Sequence, residues 1–291
     1  MGNALFKSPG TSDLLAKQRA QLILQTMGEL GTVAMAAGAR DFNEGAHFLK
    51  ENAAKANVTV LSANLRRGGK PVFPASLTKK IAGARVGLIG VSPPGRMLPT
   101  DLEGLPVQEA LAEARRLRPK VDVIVLLAAV SYADALQLSK EAGKDVDFIL
   151  QSSESRGIGL AQNMGDKYVV PTGDRGRQIG RLQLQITGRG PFVDSEERRR
   201  LEQTLEHLDR QLTTVKLRQT EDATPATQKA LQQTEANFET RKATVQKQLA
   251  SLASGPQRQT FTLQFETLGP EMPDDPRLRE LVTRLEPAAP P

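Results

Sequence analysis

Two histidines, His47 and His207, and no cysteine are all the chain holds of the side chains that most often ligate transition metals. A histidine-rich metal centre needs more imidazoles than that, and thiolate zinc sites, cysteine nucleophiles and disulfides each need a cysteine. Most metal-free hydrolytic chemistry goes with them, because a His-based triad must have its histidine beside a nucleophile. His47 lies in a helical pattern after Asn43, and His207 lies between the regularly spaced Leu205 and Leu208, so both read as surface or packing residues. The sequence contains no Walker A loop, no dinucleotide-binding glycine fingerprint, no His-Glu-x-x-His and no Gly-x-Ser-x-Gly. Its most function-like loop by composition is Gly173-Asp174-Arg175-Gly176-Arg177, although such glycine-rich turns commonly serve only to reverse the chain.

The elements that must position these residues fall into two regimes. At 291 residues, 39% hydrophobic and 25% charged, the chain is long enough for one large domain or two modest ones. No apolar run approaches the roughly 18 residues of a membrane span, and Met1-Gly2-Asn3 opens without the charged and apolar segments of an export signal. Residues 1–190 carry a net charge of +8 and residues 191–291 a net charge of −2. With 4% aromatic residues and no Trp, the basic part has little with which to stack on bases, which disfavours nucleic acid as a partner.

Along the basic part, short apolar runs at 32–37, 58–62, 84–91, 121–127 and 146–150 suit strands covered on both faces. Strand patterns follow at 167–171 and 181–187. Helical patterns occupy 43–55, 107–117 and 132–143, and a first helix follows a cap at Ser12 or Asp13 and ends at Gly28 to Gly31. This alternation predicts a sheet-centred α/β domain, doubly wound if pattern alone is followed. From residue 194 the period changes. Leu201, Leu205, Leu208, Leu212 and Val215 form an a/d seam after a capping-box pattern at Asp194 and Glu197, and a second stripe, Leu231, Phe238, Val245 and Leu252, follows Thr224-Pro225. The expectation is an antiparallel helical hairpin, a coiled-coil arm, over 191–257, either burying its own stripe or docking a partner or a second copy. Residues 258–291 read as a returning strand, a short helix and an Ala/Pro tail.

The order of the pieces resembles one family. Gly38-Ala39-Arg40-Asp41-Phe42-Asn43-Glu44-Gly45, a helix, and Leu61-Ser62-Ala63-Asn64 are similar to the Gly-Asn-His-Glu-Phe-Asp-x-Gly, helix and Leu-Ser-Ala-Asn of the 5′-nucleotidases and UDP-sugar hydrolases, which are calcineurin-like metallophosphoesterases. Residues 86–91, 123–130, 146–155 and 173–182 continue in the family's order, and Gly2-Asn3 resembles its Gly-Asp motif. The resemblance implies an α/β/β/α sandwich over 1–190 whose opening strand would lie before residue 1, with the hairpin as an insertion.

The family holds two divalent metals about 4 Å apart. Placed on its pattern, this sequence has Asn3 at the bridging aspartate, Ala39 at a ligand asparagine, Arg40 at the transition-state histidine, Ala129 at a ligand histidine, and Ser153 and Ser155 at the two histidines of His-x-His. Alanine cannot ligate and neutral Ser or Asn ligate weakly. The resemblance therefore implies a catalytically inactive homologue, without metal or other cofactor, that binds or scaffolds. An active 5′-nucleotidase and a basic nucleic-acid-binding protein are the alternatives. It also implies export to a bacterial periplasm or cell surface, often as a lipoprotein. Arg40, Arg156 and Arg175 are the candidate anion-binding groups, with Asp41, Glu154 and Asp174 as acids that would otherwise pair with them and seal the vacated pocket.

Overall fold

A computed structural model describes residues 2–7, 13–95, 98–152, 160–172, 176–188, 190–219, 224–253 and 259–286. The chain divides into two compact units, one of Met1–Arg181 with Leu263–Pro291 and one of Leu182–Thr262.

The first unit opens with α1 (Leu14–Glu29), whose N-cap Asp13 accepts the Ala16 N–H at 2.7 Å. Then come β1 (Ala34–Ala36), a 3₁₀ turn Ala39–Phe42, α2 (Gly45–Lys55), β2 (Thr59–Leu61), β3 (Leu65–Arg67), β4 (Lys70–Pro71), β5 (Ser76–Ile81), β6 (Ala84–Val91) and β7 (Glu103–Gly104). They are followed by α3 (Glu109–Leu117), β8 (Val123–Ala128), α4 (Tyr132–Glu141), β9 (Phe148–Gln151), β10 (Gln162–Asn163) and β11 (Tyr168–Pro171). In β12 (Gln178–Gln185) the chain passes to the second unit, which holds β13 (Phe192–Asp194), α5 (Glu197–Gln219) and α6 (Pro225–Ala253); β14 (Gln259–Thr267) leads back, and α7 (Pro276–Leu285) ends the described chain. None of the described helices is long and apolar enough to cross a membrane.

The central sheet has the order β10-β11-β9-β8-β6-β5, and β6, β8, β9 and β11 run parallel. Every residue of β8 is buried, as a parallel strand covered on both faces must be. Ile124, Leu126 and Ala128 face α3 and α4 in one apolar cluster. Alternation sends Val123, Val125 and Leu127 to the opposite face. There β1 and β2, a parallel pair with Met35 opposite Val60, pack on β6 and β8, and α1 and α2 cover that pair in a second cluster built on Leu24, Met35, Leu49 and Val60. The layers are helix, sheet, sheet, helix. Each fully buried Leu or Ile in them contributes roughly 1.5–3 kcal/mol.

The two sheets lie in close contact at Gly90. A methyl group there would lie 2.1 Å from the Leu61 carbonyl oxygen, whereas one on Gly87 would meet nothing nearer than the Val121 side chain at 3.4 Å. The close approach is locked by main-chain bonds on either side, Ala63 N–H to Gly90 O at 2.8 Å and Gly90 N–H to Ala75 O at 3.2 Å.

In the second unit, β13 pairs in parallel with the start of β14, Phe192 opposite Gln259. Asp194 ends β13, accepts the Glu196 N–H at 2.9 Å just before α5 and pairs with Arg200. Helices α5 and α6 run antiparallel along each other, since Asp209 meets Lys242 (2.6 Å) while Lys216 meets Glu235 (3.5 Å) and Glu239 (3.7 Å). Leu208, Leu212, Val215 and Val245 are buried, and the exposed ion pairs beside them contribute little.

Gly90→Ala should therefore lower the unfolding free energy by about 3 kcal/mol or prevent folding, and Gly87→Ala should cost no more than about 1 kcal/mol. Urea denaturation of the two variants checks this; equal effects would show that the sheets are not pinned at Gly90.

Candidate functional site

The C-terminal ends of β1, β2, β6, β8 and β9 converge, and open α/β sheets place their ligands outside such ends. Here the space is taken by the opening segment. A methyl group on Gly2 would sit 2.6 Å from Ala129 Cβ and 2.8 Å from both Ala36 O and Gly38 N, so the segment lies directly on the ends of β1 and β8. Ser152, just past β9, turns its hydroxyl to Gly2 O at 3.4 Å, and Leu5 and Phe6 are buried. Beside them, Ser62 and Ser92 share a hydrogen bond of 2.8 Å. Asn64 donates to Ser92 O and Leu105 O and accepts the Ser92 N–H, each at 2.9 Å. These polar groups fasten the strand ends to one another.

The fastening of the opening segment centres on Asp41. It is fully buried, and its two oxygens accept four main-chain N–H groups: Asn3 (2.7 Å) and Gly38 (2.9 Å) on one, Ala4 (2.9 Å) and Leu5 (3.1 Å) on the other. Burial pushes the carboxyl up from its ordinary value, while the N–H groups of Gly38, Asn3 and Leu5 pull it back. All four partners are donors, so the ionised carboxylate is the form that satisfies them. Asp41, expected as an acid that pairs with arginine, thus serves the main chain instead. It sits in the 3₁₀ turn that follows β1, whose residues bring Gly38, Arg40 and Asp41 under the segment.

Of the residues singled out in the sequence, Asn3, Ala39, Arg40 and Ala129 do come together. Asn3 adopts φ 63°, a left-handed conformation that Asn tolerates, and its Oδ1 accepts the Arg40 N–H at 3.0 Å. The Arg40 guanidinium donates to Lys7 O at 3.0 Å and to Asn3 O at 2.9 Å, clasping the segment from its other side. Ala39 and Ala129 are buried and bring only methyl groups. Ser153, Glu154, Ser155, Arg156, Asp174 and Arg175 lie outside the described residues. The His47 side chain is 90% exposed on α2, near Glu51 at 3.8 Å. His207 is exposed on α5.

A two-metal centre does not fit the described residues. The Asn3 carboxamide oxygen accepts the Arg40 N–H and the Asp41 carboxylate is engaged by four amides. At the end of β9 the Gln151 amide donates to Val130 O at 2.9 Å, and its Oε1 is buried with no partner among the described residues. Among the described residues no three His, Cys, Asp or Glu side chains are grouped so as to hold a metal.

Asp41→Asn would set an NH₂ group against two N–H donors and leave them buried and unpaired, at about 1–3 kcal/mol each. The substitution should therefore destabilise the protein by about 3 kcal/mol in urea denaturation. A loss under about 1 kcal/mol would show that the carboxylate is not what holds the opening segment.

No family model and no curated protein matches the chain. Solved structures do. A 5′-nucleotidase precursor from Thermus thermophilus superimposes with a TM-score of 0.50 at 23% identity, over 57% of this chain and 38% of that one. The Thermus thermophilus sulfate thiohydrolase SoxB in complex with glycerol gives 0.53 at 19% identity, over 63% and 34%. This chain thus spans little more than a third of either relative. At these identities the likeness concerns the fold, and it agrees with the helix, sheet, sheet, helix layering: the chain has the fold of the calcineurin-like metallophosphoesterases.

Proposed function

We propose that this chain is a non-hydrolytic relative of the 5′-nucleotidase-like metallophosphoesterases and works as a binding or scaffolding module. The observation that carries the reading is the occupancy of the strand ends. In the two-metal reaction a bridging hydroxide attacks phosphorus while both cations stabilise the developing charge, which demands a ring of anionic or imidazole ligands. Among the described residues, those ends present the methyl groups of Ala39 and Ala129, a carboxamide engaged by Arg40, a carboxylate engaged by four amides and the neutral Gln151 Oε1, which is no such ring.

Arg40 supports the same reading. A guanidinium free in the crevice would be a phosphate ligand. Here it closes a clasp on the carbonyls of Asn3 and Lys7, a structural use of the charge that stabilises the opening segment where it lies. In this reading the fold survives as a rigid platform, and its surfaces, including the α5–α6 arm, carry the function.

The purified protein should release no phosphate from nucleoside 5′-monophosphates, and no p-nitrophenol from bis(p-nitrophenyl) phosphate, above the buffer rate with manganese, zinc or cobalt added. Turnover that depends on a stoichiometric metal would overturn the proposal and restore the chain to the hydrolases.

A further inference from the structure

A second region, away from the strand ends, has the geometry of a binding site. A groove of about 690 Å³ runs between α2 and the 71–74 stretch, lined by Lys50, Ala53, Val58, Val60, Pro71 and Phe73 among others. It shares Lys50, Pro71 and Val72 with an adjoining basin of about 310 Å³ that also holds His47, Arg67 and Lys70. Together they have the volume of an ordinary ligand site.

One wall of the groove is the outer edge of β2 at Val60. Thr59 gives its N–H to Val33 O, and Leu61 O accepts the Ala37 N–H, so both residues turn their main-chain groups toward β1. Alternation turns those of Val58, Val60 and Ser62 to the outer side. The Val58 N–H is taken by Ala53 O and the Ser62 N–H by Pro74 O. Between them, the Val60 N–H has no main-chain partner among the described residues. In the wall across the groove Pro71 and Pro74 have no N–H to give, and the Val72 N–H goes to Leu65 O at 3.3 Å.

The charge at the groove has one sign. Neither cavity has an Asp or Glu in its lining. Arg67 is matched by Asp101 at 2.7 Å, and Glu51 is shared by Lys55 and His47. Lys50 and Lys70 make no ion pair among the described residues. An edge whose Val60 N–H has no main-chain partner among the described residues, an apolar floor and two lysines without an ion pair call for an occupant with its own main-chain amides, alternating apolar side chains and carboxylates.

We propose that this groove takes an extended acidic peptide segment of a partner protein, which adds to the outer edge of β2 at Val60 and sets its carboxylates on Lys50 and Lys70. Strand addition of this kind draws affinity from the main chain and specificity from alternate side chains. An aliphatic lipid tail could fill the floor but would leave the Val60 N–H unsatisfied, which is why a peptide is the occupant chosen. The site does not depend on the catalytic state of the strand ends.

The test uses the full chain and a blocked peptide of alternating glutamate and valine, a copy with every second amide N-methylated, and vesicles of phosphatidylglycerol and phosphatidylcholine. The proposal expects the peptide to bind and to slow hydrogen exchange at the Val60 amide. Lys50→Glu with Lys70→Glu should weaken binding at least about tenfold while the melting temperature is kept, and N-methylation should weaken it similarly. Absence of peptide binding at millimolar concentration, indifference to N-methylation, or an unprotected Val60 amide would overturn it. So would binding of the vesicles in preference to the peptide. The exchange readout needs no variant, so the test stands even if the double substitution unfolds the protein.

Discussion

The Asp41 carboxylate, buried and surrounded by four main-chain donors, is the contact on which the arrangement of the strand ends depends. A buried charge is costly unless every lone pair finds a donor. Satisfying it fixes the path of residues 3–5 and of Gly38 together, and with them the position of Gly2 against Ala36 and Ala129. The Arg40 clasp on Lys7 and Asn3 and the Asn3 cap on Arg40 follow from that path, because the same turn that presents the carboxylate presents the guanidinium. One carboxylate thereby determines what fills the region where an open α/β sheet would otherwise receive a ligand.

The remainder of the first unit supplies the rigidity this requires. Two sheets meet back to back, their separation limited at Gly90 by the Leu61 carbonyl. At the opposite ends of β8 and β9, Asp147 ties the strands together by accepting the Ile124 N–H and an Arg118 N–H, each at 2.7 Å. Burial raises the Asp147 carboxyl and Arg118 opposes the rise. The two ends of the sheet are thus held by different means, an ion pair at one and an amide-bound carboxylate at the other. With the ends fixed, the surfaces left for recognition are peripheral, the flank of α2 and the arm among them.

Much of the fold was legible because the parallel strands are uniformly apolar: the runs at 84–91 and 121–127 correspond to β6 and β8 within two residues. Strand β5 was not, since Ser76–Ile81 holds two lysines and is largely exposed, so neither a buried run nor a clean alternation marks it. The β3–β4 pair did have a signal, Gly68-Gly69, whose φ values of 55° and 74° suit a two-residue hairpin turn. At the strand ends the residue types, set on the pattern of the resemblance, imply alanine where a ligand would stand. They did not show what replaced it, because Asp41 acts through main-chain amides, which no side-chain pattern reports. The β2 edge was equally hidden, since it arises from which way Val60 turns its amide and from where two prolines fall.

On the proposed reading the strand ends are closed by the chain's own groups and owe nothing to divalent cations. A ligand that binds only the folded state raises its stability by about 2.7 kcal/mol at a hundredfold excess over its Kd. The direct measurement is the melting temperature of the purified protein after exhaustive chelation and again with millimolar manganese, zinc or cobalt. The account predicts the same midpoint throughout. A saturable rise with any of these metals, reversed by chelator and abolished in Asp41→Asn or Asn3→Ala, would contradict it.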